Sequence, residues 1–179
     1  MDKMDVFEAI HQRKSVRAYE QMPISVEVLS RILEAGRIAP SAGNRQPWHF
    51  IVVNDSEKRK ELSKGTFAKF LTEAPTVIVG CGDSEASKRW YPVDVSIAME
   101  NMVLAATGEG LGTCWVGSFN EESVKKLLEI PDKYRIVSLL AIGYIRERFD
   151  AAQKILQLVS KRKTLKEITS LDGFGKAYV

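Results

Sequence analysis

The chain has 179 residues, 45% of them hydrophobic, and a formal net charge of +3. This is enough for one domain with a real core, and the small charge, with no basic stripe interleaved with aromatics, excludes a nucleic-acid binder. No apolar run approaches the ~20 residues of a membrane span, and the charged start Met1-Asp2-Lys3-Met4-Asp5 lacks the apolar core of a signal peptide, so cytoplasmic residence is expected.

Residues 4–13 place Val6, Phe7 and Ile10 on one helical face. Residues 25–39 form a second helix, with Ser25 as N-cap, Val28, Leu29, Ile32 and Leu33 at helical spacing, and Pro40 as the stop. Trp48–Val53 reads as a buried strand. Asn54-Asp55-Ser56 turns into a charged helix at about 57–65, and 67–73 is a short helix ending at Pro75. Thr76–Cys81 is a second strand, and Gly82–Pro92 a polar loop. Val93 to about Gly108 is the most apolar helix, expected at the centre of the core. Thr113–Val116 is a third strand. Asn120 caps a helix at 121–129, Ile136–Tyr144 is a fourth strand, and a helix at 151–157 follows. The tail, about 161–179, ends half-apolar (Leu171, Phe174, Tyr178, Val179) and favours packing on a partner subunit. With no repeat or linker, residues 1–179 read as a single α+β sandwich.

Cys81 and Cys114 form no CxxC pair, and His11 and His49 are too few for a metal cluster, so no metal site is indicated. Cys114 lies in a buried strand with no nearby His or basic neighbour expected to lower its pKa, and reads as core. His49 reads as structural. Asp94 and Glu100 sit six residues apart on a helix and face different ways, so they are rejected as a general-acid pair. With no acid, base, nucleophile or metal set, an enzyme built on this chain needs a cofactor for its chemistry.

Three segments can bind a ligand. In Arg13-Lys14-Ser15-Val16-Arg17, an extended backbone puts 13, 15 and 17 on one face, matching a phosphate or flavin carbonyls. The bland alternative is a solvated helix end. In Pro40-Ser41-Ala42-Gly43-Asn44-Arg45-Gln46-Pro47-Trp48, side-chain amides can match the alternating C=O and N–H groups of a flavin edge; the alternative is a plain loop. Gly108-Glu-Gly-Leu-Gly-Thr-Cys-Trp-Val-Gly117 runs from helix into strand, the reverse of a dinucleotide fingerprint. There Gly110 or Gly112 suits a helix C-terminus, and Gly117 can let a backbone N–H approach a ligand; the alternative is a purely structural role.

Taken together, these segments resemble the nitroreductase family of FMN-dependent oxidoreductases. The matching pieces are Arg13–Arg17, Ala39–Trp48, Ala74-Pro75 before a strand, Asp94–Ala106, Gly110–Gly117 and Ile142-Gly143-Tyr144, in the family's order over about residues 4–148. The resemblance implies a nitroreductase-like FMN-binding sandwich, a mixed or antiparallel sheet flanked by helices. It implies a homodimer with two FMN sites at the subunit interface, and ping-pong electron transfer from NADH or NADPH to a small conjugated acceptor (nitroaromatic, quinone or flavin). Carried over by position, Arg13, Ser15 and Arg17, with Lys14 in the same motif, hold FMN phosphate and pyrimidine atoms. Pro40, Ser41, Asn44 and Gln46 meet the ring or ribityl chain, partly from the other subunit. Gly117 and Ser118 offer backbone N–H groups towards flavin N5, and Arg162 grips the phosphate. Arg17 is the cation expected to raise the flavin potential.

Two departures stand out. Larger relatives insert a helical lid where this chain has only Gly82–Pro92, and the tail after Lys163 runs past the end of compact members. Rival readings are a different flavin reaction (dehalogenation or enone reduction), a non-catalytic FMN-storage protein, and a phosphate-binding regulatory domain without flavin.

Overall fold

In this computed structural model, which describes residues 4–146 and 162–178, the strands β1 (Trp48–Val53), β2 (Thr76–Asp83), β3 (Leu111–Val116) and β4 (Tyr134–Tyr144) form one sheet. Their order is β1-β2-β4-β3, and every neighbouring pair is antiparallel. Of the expected mixed or antiparallel sheet, the antiparallel form is the one observed. β1 and β3 are the two edges.

The central strands are buried on both faces, so side chains alternate between two cores. Val77, Val79, Leu139 and Ala141 join Val16, Tyr19, Leu71 and Cys114 on one face. Ile78, Leu140 and Ile142 join Ile32, Met99, Met102 and Val103 on the other. Three strands run further than the sequence suggests. β2 continues past Cys81 through Gly82, which pairs with Trp48 and Arg135. β3 starts at Leu111 and β4 at Tyr134. Glycine has low strand propensity, so local signals miss Gly82 and Gly112, which pairing with distant strands recruits.

The helices are α1 (Val6–Gln12), α2 (Val26–Arg37), α3 (Ser56–Leu62), α4 (Tyr91–Gly108) and α5 (Glu121–Leu128). Asp5, Ser25, Asp55 and Asn120 cap α1, α2, α3 and α5 by accepting a backbone N–H from the first turn. Short 3-10 turns cover Ala42–Asn44 and Lys69–Thr72. α4 buries Val95, Ala98, Met99, Met102, Val103 and Ala106, the central core helix its composition predicts. α2 crosses it closely: a Cβ on Gly36 would stand 2.1 Å from Met102 Cε, and Asn101 Nδ2 donates to the Ala35 carbonyl at 3.2 Å. Gly110, at φ +77 after the α4 C-cap, takes the helix-terminating role. No described helix is long and apolar enough to cross a membrane.

The chain divides into two units, Met1–Arg146 and Glu147–Val179. The described part of the second holds α6 (Leu165–Ile168), whose Thr164–Glu167 capping box fixes its start. A turn follows in which the Leu171 N–H donates to the Lys176 carbonyl at 3.0 Å. The helix expected at 151–157 lies outside the described residues.

Candidate functional site

The Arg13–Arg17 segment is extended. Ser15 forms a parallel bridge with Thr113 of β3, and the Val16 N–H donates to the Thr113 carbonyl at 2.8 Å. Val16 is buried while Ser15 and Arg17 are exposed, the alternation expected of a strand. Arg13 is half-buried and Lys14 exposed. The Tyr19 hydroxyl donates to the Val16 carbonyl at 2.6 Å, and burial holds its pKa far above the usual phenol range. Arg13, Ser15 and Arg17 share a neighbour, the buried thiol of Cys114. Burial raises the pKa of this thiol; the charge of Arg17, a hydrogen bond with Ser15 and the charge of Arg13 oppose the rise. The expectation that Cys114 has no basic neighbour is therefore wrong: the extended segment paired to β3 brings two cations and a hydroxyl to its side of the strand. Arg17 also lies over the Phe70 ring, 5.9 Å from its centroid.

The end of β3 joins the same neighbourhood. The Ser118 hydroxyl donates to the Thr66 carbonyl, which ties the strand end to the loop leading to Phe70. Gly117 is exposed, and a Cβ there would meet nothing within 4 Å among the described residues, so on that side its backbone is open to close approach. On this loop Phe67 is 88% exposed in the left-handed region, φ +64. Sequence reading gave no sign of it.

The Pro40–Trp48 turn is polar and strained. Gly43, Asn44 and Gln46 all have positive φ, of +61, +52 and +47. Asn44 tolerates this conformation better than Gln46 does. Ser41 Oγ accepts the Gln46 N–H at 2.9 Å, and Gln46 Nε2 donates to Asn44 Oδ1 at 3.1 Å. The Ala42 N–H donates to Asp94 Oδ1 at 3.0 Å. Pro40, Asn44 and Gln46 are exposed and Ser41 half-buried, so the amides lie at the surface. Asp94, dismissed as an acid, is 3% exposed and anchors this turn. Its type and place on an apolar helix were visible in the sequence, but its partner 52 residues away was not.

Within one chain these pieces do not all meet. The Arg13–Arg17 segment and Ser118 belong to the β3 edge; the turn enters β1, the opposite edge. Among the described residues, no hydrogen bond, ion pair or ring contact joins Arg13, Ser15 or Arg17 to Pro40, Ser41, Asn44 or Gln46. Arg162 is exposed in the second unit. The His49 ring lies tilted by 49° against Tyr134, with centroids 5.6 Å apart. Among the described residues, no group of three or more His, Cys, Asp and Glu could hold a metal ion.

The fold and site define an α+β protein with a cationic clasp on one sheet edge and a polar turn on the other. The model of the nitroreductase family matches residues 10–68 and 63–144. An Archaeoglobus fulgidus protein bearing the name NADH dehydrogenase/NAD(P)H nitroreductase is 41% identical over 149 residues, 79% of this chain and 86% of the relative. A crystal structure under the same name from Parabacteroides distasonis superposes with a TM-score of 0.83 at 32% identity, covering 94% of this chain and 98% of that one. An FMN-dependent nitroreductase from Clostridium difficile has a TM-score of 0.74 at 29% identity, with coverages of 87% and 98%. The chain belongs to the nitroreductase family.

Proposed function

We propose that the protein is an FMN-dependent oxidoreductase that takes hydride from NADH or NADPH and reduces a small conjugated acceptor by a ping-pong mechanism. The observation that carries this reading is the separation of the clasp and the turn onto opposite sheet edges. A nucleotide held by both lies between two copies, with the clasp of one facing the turn of the other. The exposed apolar side chains Val6 and Phe7 (59% and 72% exposed) and Ile10 on α1, with Val93 and Ile97 on α4, supply a surface for that pairing. The tail, with Leu165, Ile168, Leu171 and Tyr178 exposed, packs on the partner in this reading.

The residues present fit the group. Arg13 and Arg17 are fixed charges and Ser15 a hydroxyl, a set suited to a phosphate and pyrimidine oxygens. Lys14 adds positive charge beside them. Pro40 and Ser41 shape the turn, and Asn44 and Gln46 present amides that donate and accept at a ring edge. Bound FMN supplies the hydride chemistry. The chain binds the phosphate, orients the ring, and places the backbone of Gly117 and Ser118 where N–H groups can stabilise charge. Arg17, close to the pyrimidine in this arrangement, favours the reduced anion. A charge-assisted hydrogen bond contributes about 1.5–3 kcal/mol, so two or three at the clasp supply much of the ~8 kcal/mol of micromolar binding.

The relative named as FMN-dependent supports the cofactor, and the shared name NAD(P)H nitroreductase supports the donor. The test is steady-state oxidation of NADH and NADPH by the FMN-loaded protein with a quinone or nitroaromatic. Turnover is expected; FMN uptake without turnover would indicate a carrier, and no FMN uptake would contradict the flavin reading.

A further inference from the structure

Asp94 is a buried carboxylate in the first turn of α4, a helix whose other buried residues are all apolar. Taking a carboxylate out of water is costly unless its oxygens are satisfied. Oδ1 accepts the Ala42 N–H at 3.0 Å, and Oδ2 accepts from Ser87 Oγ at 3.4 Å. Ala42 is where the backbone leaves the extended Ser41 (φ −142, ψ 154) for the tight turn. Beyond it come Gly43, Asn44 and Gln46, all at positive φ. Non-glycine residues stay in that region only where neighbouring structure over-determines them. Three ties do so here. The turn's own Ser41–Gln46 bond crosses it, the Asp83 N–H donates to the Pro47 carbonyl at 2.8 Å at its far end, and Asp94 holds its near end from the core. Asp94 is the tie that fixes the turn to the central helix.

We infer that Asp94 is a positioning residue: its carboxylate, clamped on the Ala42 N–H, keeps the Ser41–Gln46 turn in the left-handed form that presents Asn44 and Gln46 to the ligand. The ligand part of this inference rests on the flavin reading above; the clamp itself does not. A core residue serving only as packing would leave the turn's amides as protected after substitution as the rest of the fold allows.

The experiment compares the full-length protein with Asp94→Ala and Asp94→Asn, each stripped of flavin, by hydrogen exchange over residues 40–48 and by FMN titration. In Asp94→Ala, exchange at 42–46 accelerates and FMN affinity falls, each by roughly tenfold, while β2 and β4 amides keep their protection. Asp94→Asn stays within about threefold of the parent in both, because its amide oxygen still accepts from Ala42. Unchanged exchange and affinity in Asp94→Ala would overturn the inference, as would equal losses in both variants accompanied by lost β2 protection. If Asp94→Ala does not fold, Ala42→Pro removes the same bond from the surface side, where the extended Ser41 accommodates a following proline; faster exchange at 43–46 and weaker FMN binding support the clamp, and no change refutes it. Failure of the unsubstituted protein to bind FMN, with the exchange effect intact, would remove the flavin reading and leave the clamp standing.

Discussion

Gly112 lies directly beneath Val16: a Cβ on the glycine would stand 2.8 Å from Val16 Cβ and 2.7 Å from its Cγ2. The glycine thus makes room for the segment that carries Arg13, Ser15 and Arg17. Gly143 does the same for Tyr19, whose Cδ1 would lie 2.9 Å from an added Cβ. Two glycines of the sheet therefore seat the cationic clasp through steric absence rather than backbone conformation.

Gly112→Ala is expected to push Val16 off β3, costing about 1–3 kcal/mol of stability as overpacked cores do. FMN affinity falls with it, because Arg13 and Arg17 ride on the same backbone. Urea unfolding and flavin titration measure the two effects; a variant as stable and as tight-binding as the parent would remove the seating role.

Arg17→Gln should lower the midpoint potential of bound FMN, since it removes the positive charge proposed to favour the reduced anion. Arg17→Lys should restore part of the shift. Spectroelectrochemical titration reads this, and an unchanged potential in Arg17→Gln would place the charge elsewhere.

Arg59 illustrates what the sequence hides. It lies in a helix whose sequence is mostly charged, yet it is 8% exposed and its Nη1 donates to the carbonyls of Ala74 at 2.5 Å and Thr72 at 3.2 Å. Its Nε, also buried, has no hydrogen-bond partner among the described residues. Burial lowers its pKa, with Asp55 opposing. Arg59→Met should cost about 1–3 kcal/mol by leaving those carbonyls without donors. Denaturant midpoints test this, and a shift no larger than that of an exposed α3 substitution such as Lys60→Met would contradict it.

What could be read from the sequence follows a physical division. Caps and periodicity are local, so Ser25, Asn120 and the limits of β1 were legible. The extended form of Arg13–Arg17 was one of two readings the sequence left open, and the pairing of Ser15 and Val16 with Thr113 of β3 decides it. Strand extensions through Gly82 and Gly112 depend on pairing partners far away in the chain. The anchoring of the turn by Asp94, and the bridging of Ser118 to Thr66, depend on contacts each 52 residues apart. The outward face of Val6, Phe7 and Ile10 was placed correctly on one side of α1. That this side points to solvent, with only Ala9 of α1 buried, required the fold.

Acid sensitivity should include a contribution from Glu121. Its carboxylate is held below the usual glutamate value by hydrogen bonds from Arg135 and the Ile136 N–H and by the charges of Arg135 and Lys125, against partial burial. The unfolded chain therefore takes up the proton first. The stabilisation is complete above the ordinary value of about 4.3 and is lost as pH falls through the depressed folded value. Glu121→Gln should flatten the dependence of stability on pH just below pH ~4.3 and leave the slope at neutral pH unchanged. Urea melts across that range decide it; an identical acid limb would contradict it.

The most direct test of a flavin shared between two copies is complementation. Arg13→Ala and the Asn44→Ala/Gln46→Ala pair should each lose tight FMN binding when purified alone. Co-expressed, random pairing gives mixed dimers in which one of the two sites has an intact clasp facing an intact turn, so about a quarter of all sites should recover parental FMN affinity. No recovery in the mixed sample, with both variants folded and exchanging subunits, would contradict the account.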